Sequence, residues 1–312
     1  MKNVLVIGSA CADVVIRLDH LPKTEEDIHP KSQSFSLGGC AYNVANILRQ
    51  SGSSFTFLTP VGTGIFGDFV RNALSEKGFP PPIRVTDQEN GCCYCLVEES
   101  GERTFLSCHG AEYTFQKAWA EPIRDRFFDM VYVCGLEVEE PTGEELVSWL
   151  EERIKQFPET ELFFAPGPRI MTIPPERFAR ITALRPILHI NENEAFLRTG
   201  CHTFEEAARL LSAITKNTVI ITLGDRGAYC LMADGSCCHV PAVKTTVKNT
   251  IGAGDSHIGA VLAGLSHGMD MRESLAAASH ISSAVVNSDS SGLTDDEFQL
   301  FVDQFFHTSV NP

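Results

Sequence analysis

The run Asn249-Thr250-Ile251-Gly252-Ala253-Gly254-Asp255 carries the densest chemistry in the chain. Small residues leave peptide N–H groups uncovered, and one carboxylate follows them. Behind them Ile258, Val261, Leu262 and Leu265 repeat at i, i+3, i+4 and i+7, the spacing of one helix face, and Gly268 marks a stop. The run therefore reads as a helix N-terminus. Amides there lack internal acceptors, and the helix dipole favours negative charge. Bare Gly252 and Gly254, with a methyl at Ala253, let an oxyanion approach the backbone. Asp255 then stands beside an anion hole as a proton acceptor. That pairing suits transfer of a phosphoryl group to an alcohol. A tight turn whose Asp merely caps the helix would use the same residues.

Four further stretches place chemistry next to glycine or at strand ends. Gly38-Gly39-Cys40-Ala41-Tyr42-Asn43 opens a helix with Val44, Ile47 and Leu48 on one face, and Asn43 offers both donor and acceptor. Asp13 follows the first apolar run, in Gly8-Ser9-Ala10-Cys11-Ala12-Asp13. Asn191-Glu192-Asn193-Glu194 follows the apolar Ile187–Ile190, and carboxylates with amide neighbours suit a hard, hydrated cation. Thr222-Leu223-Gly224-Asp225-Arg226-Gly227 follows Val219–Leu223, and its glycines allow a nucleotide near the backbone. A fifth stretch, Gly62-Thr63-Gly64-Ile65-Phe66-Gly67, has the spacing of a dinucleotide fingerprint, with Asp87 twenty residues beyond Gly67. No G-x-x-x-x-G-K-[ST] occurs, and no histidines are spaced H-x₃-H.

The run Thr250–Asp255 closely resembles the signature of the ribokinase-like (PfkB) carbohydrate kinases. The G-G-x-x-x-N at Gly38–Asn43, the N-x-x-E at Asn191–Glu194 and the T-x-G-x-x-G at Thr222–Gly227 match further motifs of that family, in its order, from Ile7 to about Gly292. The resemblance implies an ATP-dependent kinase acting on a hydroxyl of a small sugar, sugar acid or nucleoside. By the same resemblance Asp255 is the general base, and the amides of Gly252, Ala253 and Gly254 form the anion hole. Asp13, Gly38, Gly39 and Asn43 orient the acceptor. Thr222, Gly224 and Gly227 line the nucleotide. Asn191 and Glu194 organise Mg²⁺, largely through water. Departures matter. Asn249 stands where the family usually has Asp, which leaves activation by K⁺ in doubt and matches relatives acting on nucleosides such as pseudouridine. His257 replaces a common Phe. Ala165-Pro166-Gly167-Pro168-Arg169 replaces D-x-N-x-R, and Gly64 replaces the Asp of V-G-x-D-x-x-G. Two alternatives follow: a regulatory sugar- or nucleoside-binding protein with reduced turnover, and a dinucleotide-dependent oxidoreductase.

Short apolar runs that alternate with helical patterns must position these residues. Strands are expected at Val4–Ile7, Phe55–Leu58, Met130–Cys134, Leu162–Ala165, Ile187–Ile190 and Val219–Leu223, with helices near 43–50, 66–77, 144–156 and 204–216. Thr142…Glu145, Thr203…Glu206 and Thr294…Glu297 have the spacing of capping boxes. This alternation predicts an α/β fold, a central mostly parallel sheet with helices on both faces, with ligands beyond the strand C-terminal ends. Residues 14–37 and 89–110 break the pattern, the latter as a hairpin turning at Glu99–Glu102. They are expected to form a small β lid, and a candidate homodimer contact, on a core of residues 1–13, 38–88 and 111–312.

The chain has 312 residues, 43% of them hydrophobic, enough for a full core. A net charge of −15 repels nucleic acid and anionic membranes. No apolar run reaches transmembrane length, and the opening Met1–Gly8 reads as a strand rather than a signal segment, so a cytoplasmic protein is expected. Eleven scattered cysteines lack a zinc-site spacing and read as reduced, small hydrophobes.

Overall fold

Buried on both faces, the runs NVLVI, MVYVC and ILHIN leave a strand no option but the interior of a parallel sheet. The computed structural model describes residues 1–288 and 290–306. The strands, in chain order, are β1 (Asn3–Ile7), β2 (Cys11–Arg17), β3 (Ser32–Gly38), β4 (Ser54–Leu58), β5 (Pro60–Thr63), β6 (Ile83–Glu89), β7 (Cys92–Val97), β8 (Arg103–Cys108), β9 (Met130–Cys134), β10 (Glu161–Ala165), β11 (Ile187–Asn191), β12 (Val219–Thr222), β13 (Ala228–Leu231) and β14 (Cys237–Val240). The α-helices are α1 (Cys40–Gln50), α2 (Gly64–Glu76), α3 (Gly135–Glu139), α4 (Gly143–Gln156), α5 (Pro175–Ala183), α6 (Glu192–Thr199), α7 (Phe204–Thr215), α8 (Ala253–Ser266), α9 (Met271–Val286) and α10 (Asp295–Phe301).

The chain forms two compact units. The first takes Met1–Ile7, Asn43–Leu58 and the residues from Phe115 onward. Its sheet has the order β14-β13-β12-β11-β10-β9-β1-β4, parallel from β12 to β4, with an antiparallel hairpin at the other edge. Helices cover both faces, as the alternation predicts. All six expected strands form, each within a residue or two of its expected bounds. In the register of β11 with β12, Asn191 lies opposite Thr222, so two candidate motifs leave the sheet side by side. No helix among the described residues is long and apolar enough to cross a membrane.

The second unit takes Gly8–Tyr42 and Thr59–Thr114. It contains a four-stranded sheet, β3-β2-β7-β8, and the pair β5-β6. Residues 14–37 and 89–110 belong to it, together with Gly8–Asp13, 38–42, 59–88 and 111–114. The hairpin β7–β8 turns where expected, with Glu98 N–H donating to the Glu102 carbonyl. Two acceptor bonds to one buried carboxylate brace this unit: Gly91 N–H and Gly110 N–H both donate to Glu112, at 2.8 and 3.0 Å.

One expectation about caps needs correction. Thr294 and Glu297 form the full capping box, and Thr203 accepts from the Glu206 amide. Thr142 and Glu145 do not cap α4. Their side chains accept instead from the Phe115 and Lys117 amides, which have no sheet partner to satisfy them. None of the cysteines forms a disulfide.

Candidate active site

The N-terminus of α8 is built around one αL residue. Gly252 has φ +73°, and a Cβ on it would come within 2.2 Å of the Ser291 carbonyl oxygen. Only glycine fits there. Gly254, two residues on, is the opposite case: a Cβ would meet nothing within 4 Å. The turn is thus packed on one side and open on the other. Asn249, 4% exposed, holds it: its side-chain N–H donates to the Ser290 carbonyl at 2.9 Å, and its oxygen accepts from Ile251 N–H at 2.8 Å. The Ala253 amide reaches the Thr250 carbonyl only at 3.4 Å.

On the open side lies a cavity of about 580 Å³. Ala253, Gly254 and His257 of α8 form one wall, and Thr222, Gly224 and Gly227 beyond β12 form another. Val243, Val247 and Val286 add apolar surface, and Lys244 adds a cation. Serines of α9 fix the segment that carries these valines: Ser279 donates to the Pro241 carbonyl and Ser283 to the Val243 carbonyl. The two glycines after β12 differ in purpose. Gly224 faces open space, whereas a Cβ on Gly227 would lie 2.0 Å from the Val240 oxygen. Gly227 is therefore required by the hairpin to β14 as much as by any ligand.

Asp255 sits in the first turn of α8, half-buried, and its Oδ2 accepts from Asn43 Nδ2 at 2.9 Å. The pair spans 212 positions of sequence. It exists because α1 and α8 approach closely at Gly259, where an added Cβ would meet the Ile47 Cβ at 3.0 Å and the Val44 Cα at 3.3 Å. Sequence reading misses Gly259. Its signal is a glycine inside an apolar helix, where it costs about 1 kcal/mol relative to alanine and so needs a packing reason.

Asn191 and Glu194 close a capping box on α6. Asn191 Oδ1 accepts from the Glu194 amide, and both Glu194 oxygens accept from Asn191, at 3.0 and 2.7 Å. Burial pushes the Glu194 carboxyl up, the Asn191 hydrogen bonds oppose this, and the charge of Asp255 adds to the rise. Asp255 and Glu194 thus sense one another, while Arg226 is held by Glu192 at 2.5 Å rather than turned to the cavity. Two buried imidazoles also meet, His189 of β11 and His257 of α8, with Nε2 and Nδ1 3.0 Å apart. Burial lowers both; His257 falls to about 4.

In the second unit Asp13 lies on β2, opposite Ser36 of β3, with its carboxylate against the Gly38 backbone. A Cβ on Gly38 would fall 2.0 Å from an Asp13 oxygen, and one on Gly39 (φ +106°) would fall 2.6 Å from the Ser9 oxygen. Gly39 is obligatory for this backbone, and Gly38 leaves the room that the Asp13 carboxylate fills. The fingerprint-like glycines of this unit are consumed by packing. A Cβ on Gly67 would lie 2.1 Å from the Gly62 oxygen, and Gly62 N–H is already taken by Asn90. Gly62 and Gly67 are thus taken by packing rather than left for a dinucleotide. A G-x-S-x-G spacing at Gly264–Gly268 is no nucleophile elbow either, since Ser266 is buried at the end of α8 and donates to the Lys2 carbonyl.

The chain is similar over most of its length to known kinases. A sugar kinase of Escherichia coli (strain K12), YegV, whose substrate is uncharacterised, is 35% identical over 91% of this chain and 88% of its own. The ribokinase of Schizosaccharomyces pombe is 28% identical over 92% of each chain. Among solved structures the ribokinase of Giardia lamblia superposes with a TM-score of 0.83 at 21% identity, over 97% of this chain and 98% of that one. The aminoimidazole riboside kinase of Salmonella enterica, complexed with aminoimidazole riboside and an ATP analogue, is 22% identical with a TM-score of 0.78, over 96% of this chain and 100% of that one. The family model of the pfkB family carbohydrate kinases matches residues 1–297. The chain belongs to that family, and is a phosphotransferase with a hydroxyl group as acceptor.

Proposed function

We propose that the protein moves the γ-phosphoryl group of ATP onto a hydroxyl of a small sugar, sugar acid or nucleoside, with Asp255 as general base. One observation carries the reading: an oriented carboxylate adjoins the open, cavity-lining N-terminus of α8. Asn43 orients the Asp255 carboxylate by donating to Oδ2, and that carboxylate receives the acceptor proton. As that proton leaves, the acceptor oxygen bonds to phosphorus and the bond to the bridging oxygen of the leaving diphosphate breaks. The amides of Gly252, Ala253 and Gly254, at the positive end of α8, stabilise charge on the moving group. Lys244 supports the anionic tail, and Thr222, Gly224 and Gly227 hold the nucleotide.

Mg²⁺, when bound, neutralises phosphate charge. The donor set fits a hydrated ion. Each Glu194 oxygen already accepts one hydrogen bond, and no group of three metal ligands gathers among the described residues. Asn191 and Glu194 would hold the ion through its waters, as Mg²⁺ prefers. Asp13, Gly38, Gly39 and Asn43 orient the acceptor. A homodimer contact through the four-stranded sheet would use the exposed Phe105 of β8, checked by sedimentation of the wild type and a Phe105→Ser variant.

Asp255→Asn tests the base. The variant is expected to keep its fold and its affinity for ADP and to turn over at least about a hundredfold more slowly. Near-normal turnover would sink the assignment. A screen for ADP release across pentoses, hexoses, sugar acids, sugar phosphates and nucleosides names the acceptor.

A further inference from the structure

A second cavity, of about 430 Å³, lies among α5, α6 and α7 and shares no lining residue with the cavity at α8. Arg185, Arg198 and Lys216 line it, and no carboxylate does. Each cation stands at the end of a helix: Arg198 in the last turn of α6, Lys216 at the C-cap of α7 and Arg185 just past that of α5. Arg198 Cζ lies 3.9 Å from the centre of the Phe178 ring, and the Arg185 guanidinium donates to the Lys216 carbonyl at 3.3 Å. Both guanidinium heads are thus held against residues of the cavity wall. Elsewhere in this unit Arg169, Arg180 and Arg226 each pair with a glutamate. The three cavity cations pair with none among the described residues. The chain has 40 acidic residues to 25 basic ones, so carboxylates were not in short supply.

Helix dipoles explain part of this arrangement. A helix C-terminus carries about half a negative charge, which a full cation exceeds. The backbone shows that the long side chains have a further use. Arg185 (φ +57°) and Lys216 (φ +51°) are two of the three non-glycine residues with positive φ among those described. Glycine is the usual residue at such helix ends and carries no strain there. Here cations take its place, and the two turns clasp one another, Asn217 Nδ2 donating to the Arg185 carbonyl at 2.7 Å. The location also differs from that of the candidate active site. Arg185 and Lys216 come just before β11 and β12, whereas Asn191 and Thr222 end those strands, and the five residues of β11 span about 16 Å. Two guanidinium forks and an ammonium match the charge and three terminal oxygens of a phosphate monoester better than a single carboxylate. Phe178, Ala179 and Ile214 offer apolar surface to a small organic body. We propose that this cavity is a second, non-catalytic site for a small phosphate monoester, the chemical class to which the kinase's own product belongs.

Calorimetric titration with glycerol 3-phosphate, ribose 5-phosphate and inorganic phosphate tests it, beside ADP as a reference. The wild type is expected to bind at least one ester, and to bind inorganic phosphate more weakly. Arg198→Met keeps packing over Phe178 and removes the charge. Arg185→Gly/Lys216→Gly removes two cations and relaxes both turns, so its fold is safe. Each variant should weaken ester binding at least about tenfold, the scale of one lost charge-assisted hydrogen bond, with ADP affinity and turnover within about twofold of wild type. Ester affinity unchanged in either variant places the ester elsewhere, at the acceptor site for instance, and overturns the proposal. So does wild-type binding of neither ester below about 10 mM. A large fall in melting temperature with ester affinity intact would assign the cations to helix ends alone and overturn it too. None of these outcomes touches the kinase reading.

Discussion

An amide at position 249 donates where a carboxylate could not. Its N–H meets the Ser290 carbonyl, so an Asp there would set lone pair against lone pair in a site only 4% exposed. The cost is about 1–3 kcal/mol unless a cation bridges the two oxygens. We therefore expect turnover of the wild type to differ less than twofold between potassium and choline chloride. Asn249→Asp should lose a few degrees of melting temperature in choline and regain them in potassium. Loss of wild-type activity without potassium would refute this. At the same scale, the glycines of two motifs are legible because the backbone forces them, Gly39 and Gly252 having positive φ and a carbonyl oxygen where a Cβ would lie. The histidine pair was out of reach. His189 and His257 stand 68 positions apart, and a lone histidine in an apolar run has the pattern of any core residue.

Helices α1 and α8 meet where a Cβ on Gly259 would fall 3.0 Å from the Ile47 Cβ. Gly259 allows it, and Asp255 and Asn43 sit one turn before that contact on their respective helices. Gly259→Val would force the helices apart, with an overpacking cost of about 1–3 kcal/mol. It should lower turnover at least tenfold by lengthening the Asn43–Asp255 bond, while ADP affinity stays within threefold. Calorimetry beside a turnover assay separates the two, and parallel losses of both would reject the explanation. Elements were mostly legible: periodicity locates the strands because parallel strands must be apolar on both faces. Caps were less so. The T-x-x-E spacing at Thr142 is right, but the amides of Phe115 and Lys117 compete for its side chains, and that competition depends on chain 27 residues away.

Across the whole molecule, acid should act first through the histidine pair. His257 titrates near 4 when folded, below its ordinary 6.5, so the unfolded chain takes up a proton before the folded one does. Stability is then full above about pH 6.5 and falls as pH drops toward 4. The raised Glu194 carboxyl works in the opposite sense and offsets part of the loss. Melting temperatures between pH 7 and 5 should slope less steeply in a His189→Leu/His257→Phe double variant, and identical slopes would exclude the pair as the cause. The order of the large sheet, with β1 between β4 and β9, was not legible, because strand neighbours are chosen by packing over long separations. The same long separation has a use. The 212 positions between Asn43 and Asp255 mean that a nascent chain cannot orient its base until residue 255 has left the ribosome. Two fragments divided in the exposed Asp234-Gly235-Ser236 turn should each be silent and recover turnover only on reassembly, which makes this kinase a natural reporter of two proteins brought together.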